Sequence, residues 1–177
     1  MGVINGVATR WNSPEYLYAY SGGIVGESIG SISECYNSGE VYAFDDYASE
    51  QSYCGGICAA TNGTIINCFN HGSVFSNSYY ASAGGIVAYA DVESFISNSY
   101  NTGLIYGEKF GGIIGINTSE KTVLGTYTYE EIKGVGKGRD YTTTCSYEEL
   151  CIESTFDSFD FSQIWTLKKV KSVRFLF

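Results

Sequence analysis

Apolar residues in this chain come in short pieces of about four to six, punctuated by Gly and Asn, and the pieces recur. Aligned on paired glycines, four copies begin at Gly22-Gly23, Gly55-Gly56, Gly84-Gly85 and Gly111-Gly112, in steps of 33, 29 and 27 residues. Each opens alike, as GGIVG, GGICA, GGIVA and GGIIG. A second apolar anchor follows at Ile32, Ile65, Ile96 or Val123, and an aromatic stands four places later at Tyr36, Phe69, Tyr100 or Tyr127. The first three copies then run Asn-x-Gly-x-(Val/Ile), through Asn37, Asn70 and Asn101. Pieces this short, bounded by Gly and Asn, predict strands joined by sharp corners. Asn and Gly tolerate the positive φ that a corner needs, so the Asn-x-Gly step is expected to be one.

One such unit cannot bury its apolar side alone, whereas stacked units cover one another. The expected fold is therefore all-β: a parallel β-solenoid (β-helix) of about four coils, with about three short strands per coil. Right-handed winding is the default for parallel crossovers. Stacking would set the corner asparagines above one another, where their amides can hydrogen-bond along a ladder. The rival reading is an antiparallel sandwich or propeller-like meander. One local doubt attaches to Ile32 and Cys35, which a flat strand would send to opposite faces. Either a bulge or bend intervenes, or the cysteine points outward.

Four regions are expected. Residues 1–21 hold the end of a preceding coil and a connecting loop, since Gly2-Val3-Ile4-Asn5-Gly6-Val7 reads as the close of an earlier coil. The solenoid occupies 22–129. A cap region follows at 130–167, where Ser146 before Glu148-Glu149 predicts a short helix, and Phe156, Phe159, Phe161, Ile164 and Trp165 form an apolar cluster able to plug the open end. Residues 168–177 are a basic tail.

GGIVG…GSISECYNSGEV, repeated as GGICA…GTIINCFNHGSV and GGIVA…SFISNSYNTGLI, resembles the GLUG motif repeats of bacterial cell-surface proteins over about residues 22–129. The SYEELC…FDFSQIW segment is similar to the closure that follows such repeats, although Trp165 is followed by TLKKVKSVRFLF, without the proline such closures carry. The resemblance implies a cell-surface or secreted location and a non-catalytic role as adhesin segment, spacer or ligand-binding platform; the alternatives are an accessory domain of a larger secreted hydrolase or peptidase, and a β-helix polysaccharide-active enzyme.

Composition narrows the function. The chain of 177 residues carries 10 basic and 19 acidic residues, a formal net charge of −9. An acidic body repels phosphate backbones, so no nucleic-acid partner is expected. No run of 18 apolar residues occurs, so no helical membrane span is expected. The chain lacks a signal peptide's basic start and long apolar stretch.

Catalytic chemistry is hard to assemble from these residues. His71, the single histidine, fills a corner position held by Ser38 and Thr102 in sister copies, which marks an exposed turn rather than a triad member. Cys54 and Cys58 have a spacing that zinc accepts, yet they replace Ser21, Ala83, Val25 and Val87, as small packing residues do. Cys35 and Cys68 hold equivalent positions and predict a thiol ladder rather than a disulfide; Cys145 with Cys151 is the other candidate pair. Asp45-Asp46, Asp91 with Glu93, Glu130-Glu131 and Glu148-Glu149 read as solubilising acids. No Lys or Arg lies between Arg10 and Lys109, where a β-helix lyase acting on acidic sugars would need one. No catalytic residue, metal or cofactor is therefore expected.

The functional lead lies in the segments 8–20, 41–53 and 74–83, read as loops emerging along one edge of the stack. They concentrate tyrosine and tryptophan, which present flat amphipathic surface at low entropic cost. Trp11, Tyr16, Tyr18, Tyr47, Tyr79 and Tyr80 are the candidate ligand-binding residues. The expected partner is a host or cell-surface glycan or protein, with the rest of a larger polypeptide attached. The plain alternative is that these rings pack on one another and cover the solenoid edge.

Overall fold

The computed structural model of the protein describes residues 3–8, 18–45, 51–121, 123–129, 131–168 and 172–175. Strand β1 (Val3–Ala8) precedes the first full coil, which comprises β2 (Tyr18–Gly22), β3 (Val25–Ser28), β4 (Ser31–Ser33), β5 (Tyr36–Asn37) and β6 (Glu40–Asp45). The second coil repeats this as β7 (Gln51–Gly55), β8 (Cys58–Thr61), β9 (Thr64–Ile66), β10 (Phe69–Asn70) and β11 (Val74–Asn77). In the third, β12 (Ser82–Gly84) and β13 (Val87–Ala90) lead to a single long strand β14 (Phe95–Asn101) and then β15 (Ile105–Tyr106). A fourth has β16 (Lys109–Gly111), β17 (Ile114–Asn117) and β18 (Leu124–Tyr129), but no strand matching β15 among the described residues. Strands β19 (Val135–Gly138) and β20 (Thr143–Cys145) extend two walls further.

These strands stack in parallel as β1-β6-β11-β15, β2-β7-β12-β16, β3-β8-β13-β17-β19 and a fourth sheet running from β5 to β20. The protein is thus an all-β parallel solenoid of three complete turns and a broken fourth. The register is strict. Gly22 pairs with Gly55, Gly55 with Gly84 and Gly84 with Gly111. Tyr36, Phe69, Tyr100 and Tyr127 form one column. Each coil has four walls rather than three, because the paired glycines are a corner between two strands and not the start of one.

The core is a set of columns. Ile57, Ile86 and Ile113 fill its centre with Ile65, Ile96, Val123, Cys58, Val87, Ile114 and Val135. Burying one such branched side chain stabilises by about 1.5–3 kcal/mol, and each coil buries its neighbour's set.

Two corners differ from expectation. The left-handed residues are Glu34 (φ 54°), Asn67 (φ 55°) and Asn98 (φ 47°), with Gly125 (φ 56°) in the same column. This residue between β4 and β5 reverses the inside–outside alternation, so Cys35 and Cys68 both face the core beside Ile32 and Ile65. The intervening bend is therefore the correct reading of the Ile32–Cys35 spacing. At the Asn-x-Gly step the asparagines serve a different purpose. Asn37 Nδ2 donates to Asn70 Oδ1 at 2.8 Å, and Asn70 Nδ2 donates to Asn101 Oδ1 at 2.8 Å. Each amide also donates to a carbonyl of its own turn, Gly39, Gly72 or Gly103. A Cβ on Gly56 would lie 2.4 Å from Asn70 Cγ and 2.1 Å from the Gly85 carbonyl oxygen. The second glycine of each pair thus leaves room for the amide ladder across the coil.

The C-terminal region does not plug the end of the stack. Phe156, Phe159 and Trp165, with Phe161 and Ile164 beside them, pack sideways on the aromatic column Phe69–Tyr100–Tyr127. Trp165 is fully buried, 4.6 Å from Phe159 and 5.7 Å from Tyr100 between ring centroids. The expected helix is two three-residue 3-10 turns, Glu149–Cys151 and Glu153–Thr155. Ser146 still caps: its N–H donates to Glu149 Oε2 (2.8 Å), and the Glu149 N–H donates to Ser146 Oγ (3.2 Å). Within the tail, β22 (Ser172–Phe175) pairs antiparallel with β21 (Trp165–Lys168).

Candidate functional site

The aromatic residues singled out by the sequence divide into three groups. Trp11, Tyr16 and Tyr47 lie outside the described residues. Tyr18 sits on β2 rather than in a loop, and Tyr79 and Tyr80 form the turn between β11 and β12. The described residues of the connecting segments 8–20 and 41–53 are strand, so Tyr18 belongs to the outer face of the β2-β7-β12-β16 sheet, whereas Tyr79 and Tyr80 stay in a turn.

Alternation along β2 and β7 builds that face. Tyr18 and Tyr20 are two apart, as are Gln51 and Tyr53, and the register pairs Tyr18 with Gln51 and Tyr20 with Tyr53. The Tyr20 and Tyr53 rings stack at 5.3 Å with 18° between their planes, and Tyr18 lies 6.3 Å from Tyr53. Tyr89, on the neighbouring sheet, meets Tyr53 edge-on at 5.6 Å. This is possible because the paired-glycine corner brings the two sheets together. Tyr53 packs there against Ala59 and Ala88, whose small side chains leave room for its ring. Tyr18 remains 46% exposed and Tyr20 38% exposed, whereas Tyr53 is buried as the floor of the cluster.

In the turn that leads into β12 of the same sheet, Tyr79 and Tyr80 meet edge-to-face at 4.8 Å. The Lys109 ammonium stands 5.7 Å from the centre of the Tyr80 ring and 3.6 Å from Glu108. Tyr80 stands two residues before Ser82, the register partner of Tyr53.

Burial raises the Tyr53 hydroxyl to about 12, with Tyr20, Tyr89 and Tyr18 adding to the effect. Tyr20 is raised too, by burial first and then by the Glu27 carboxylate. Both phenols therefore stay protonated donors across the physiological range. Tyr53 already donates to Gln51 Oε1. Glu27, exposed on β3 in the column of Tyr89, adds a carboxylate acceptor. The surface can stack on apolar faces and exchange hydrogen bonds with hydroxyls. Tyr89, Gln51, Glu27 and Lys109 were not singled out as binding residues. The two-residue spacing of Tyr18-x-Tyr20 and Gln51-x-Tyr53 was the available signal for the face, whereas Tyr89 joins it only through the corner.

The other chemistry-bearing residues have structural partners. His71 is exposed at its turn, with Nδ1 2.9 Å from Thr102 Oγ1. All six cysteines are free thiols. Burial pushes Cys54, Cys58 and Cys68 up to about 12. Glu93 pairs with Lys121 at 2.7 Å, and Asp91 Oδ1 accepts the Val92 N–H. Among the described residues no group of three or more His, Cys, Asp or Glu side chains is placed to hold a metal ion. No helix in the described residues is long and apolar enough to cross a membrane.

No protein-family profile matches the chain, and no curated protein does. Among solved structures, the chain is similar to a candidate immunoglobulin A1 protease from Bacteroides ovatus, with a TM-score of 0.62 at 21% identity. The likeness covers 89% of this chain and 53% of that one, so this chain spans about half the length of the protein it matches, and at that identity the likeness is one of fold.

Proposed function

We propose that this chain is a non-catalytic solenoid module of a larger bacterial surface or secreted protein, built from GLUG-type repeats, and that it binds a neutral glycan on the Tyr18–Tyr20–Tyr53–Tyr89 face. The observation that carries this reading is the tyrosine cluster itself: two half-exposed rings held by a buried third, with protonated hydroxyls and the Glu27 carboxylate beside them. Aromatic faces stack on the apolar side of a sugar ring while hydroxyls and carboxylates take its polar rim. The net charge of −9 favours a neutral glycan over a sulfated or sialylated one.

A second reading rests on the fold likeness. A solenoid that accounts for about half of a candidate peptidase also fits an accessory region beside a peptidase domain, acting by presenting substrate. Both readings place binding, not bond-breaking, in this chain.

The test is a glycan array followed by titration of the hits. Tyr18→Ala with Tyr20→Ala should weaken the best neutral-glycan hit by about 5–100-fold, since each stacked aromatic contributes about 0.5–1.5 kcal/mol beyond area burial. Tyr79→Ala with Tyr80→Ala reports separately on the turn pair. Unchanged affinity in the Tyr18/Tyr20 variant, with folding intact, removes the aromatic face from the proposal.

A further inference from the structure

We propose that the coil edge formed by β2 to β5 is a docking surface for one further coil of the same repeat chemistry, laid on in the same direction. The argument is independent of the aromatic face.

Burial along equivalent positions is lopsided. Ile57, Ile86 and Ile113 are all 0% exposed, yet Ile24, at the same place in the first coil, is 47% exposed. Val25 is only partly buried where its register partners Cys58, Val87 and Ile114 are fully buried. The first coil therefore shows the apolar surface that every other coil hides against the coil above it.

Hydrogen bonding gives this surface a polarity. At each paired-glycine corner the N–H groups donate away from the first coil. Gly23 donates to Gly55 (3.1 Å), while Ile24 and Val25 both donate to Ile57 (3.0 and 3.2 Å). One coil on, Gly56 donates to Gly84, and Ile57 and Cys58 to Ile86. The asparagine amides donate in the same sense. At this corner, and at Asn37 across the coil, the first coil accordingly presents acceptors: the Gly22 and Ile24 carbonyls, and Asn37 Oδ1, which accepts the Gly39 N–H; along β4 and β5 the sense reverses, with Thr64, Phe69 and His71 donating to the Gly30, Cys35 and Asn37 carbonyls. Among the described residues no coil lies above them. An occupant must therefore bring N–H donors spaced as in a Gly-Gly-Ile corner, with an asparagine amide across the coil. That is the repeat itself.

The opposite end of the stack does not offer this set. The corner N–H groups of Gly112, Ile113 and Ile114 already donate to Lys133 and Gly134 carbonyls, at 2.8, 2.9 and 3.1 Å. Beyond Asn101 the asparagine column continues as Thr128 and Thr144. A second copy docked head to tail meets satisfied donors at that corner. A single added coil brings the corner donors that the opposite end of the chain has already used.

The register defines the test. Val41 pairs with both Val74 and Ile4, so Ile4 and Val74 hold one column. Appending a copy of residues 51–71 directly before Gly2, in place of Met1, supplies the proposed coil in register; a scrambled version is the control. In the extended protein, amide exchange at the added Gly-Gly-Ile corner should slow by on the order of 100-fold or more, to the level of Gly56 and Ile57. Ile24→Ser should barely change the unextended protein's urea midpoint but lower that of the extended protein clearly. Free exchange in the added segment, with the rest of the chain protected, overturns the proposal. So does equal sensitivity of both proteins to Ile24→Ser. Concentration-dependent self-association of the unextended chain that Ile24→Ser abolishes would name a second copy as the occupant and overturn it too.

Discussion

Replacing Asn70 by Ala tests the stacking logic at its most demanding point. Asn70 is fully buried, and its side chain makes three hydrogen bonds: it accepts from Asn37 Nδ2 and donates to the Gly72 carbonyl and to Asn101 Oδ1. Three lost bonds at about 1 kcal/mol net each would cost about 3 kcal/mol. An Asn37 N–H then faces a space with no acceptor and the Gly72 carbonyl loses a donor, so desolvation adds on the order of 1–2 kcal/mol. The expected loss is therefore about 3–5 kcal/mol, read from equilibrium urea unfolding with the slope unchanged. His71→Ala, one residue along but exposed, should cost less than about 0.5 kcal/mol. Hydrogen exchange should show the loss spreading to the Asn37 and Asn101 turns, because coils in a solenoid hold only their neighbours. A cost below about 1 kcal/mol for Asn70→Ala, or one equal to that of His71→Ala, would refute the claim that the amide ladder holds the coils in register.

Three further outcomes follow from the same geometry. Gly56→Ala would set a methyl against the Gly85 carbonyl and Asn70 Cγ, neither free to move, and should cost more than about 3 kcal/mol or prevent folding, while Gly30→Ala, with nothing within 4 Å of the added Cβ, should be close to neutral by thermal unfolding. Thr128 is buried with no hydrogen bond to its Oγ1 among the described residues, and it follows Asn101 in the asparagine column; Thr128→Asn should raise stability by about 0.5–1.5 kcal/mol in urea unfolding. Burial lifts Cys54, Cys58 and Cys68 from 9.0 to about 12, so at pH 8 iodoacetamide should label Cys35 and Cys151 well before these three, as read by mass spectrometry. Because the folded state keeps those protons while unfolded thiols ionise, stability should be full below about pH 8 and fall as pH rises from about 9 towards 12.

Much of the architecture was legible because in-register stacking writes each column of the fold as a repeated letter. The paired glycines, the Ile anchors, the aromatic column and the Asn37–Asn70–Asn101 ladder could all be aligned without coordinates, and the parallel solenoid follows from that alignment. Letters alone did not separate the two corner chemistries. Asn37 and Asn67 are the same residue, yet one spends its amide on its neighbours and the other takes the left-handed backbone; Glu34, in the second column, carries no signal at all.

The repeat period, the columns and the inward apolar set were determined by the sequence alone, because each depends only on a coil meeting a near-copy of itself. Tertiary structure decided what depends on direction and on distant pairs. A single left-handed residue reverses which face Cys35 presents. The paired-glycine corner folds one sheet onto the next, so that Tyr89 reaches Tyr53. The Phe156–Trp165 segment lies along the side of the stack rather than across its end, since the aromatic column Phe69–Tyr100–Tyr127 offers it a flat apolar wall. No periodicity encodes such a match between a repeat and the non-repeating chain that covers it.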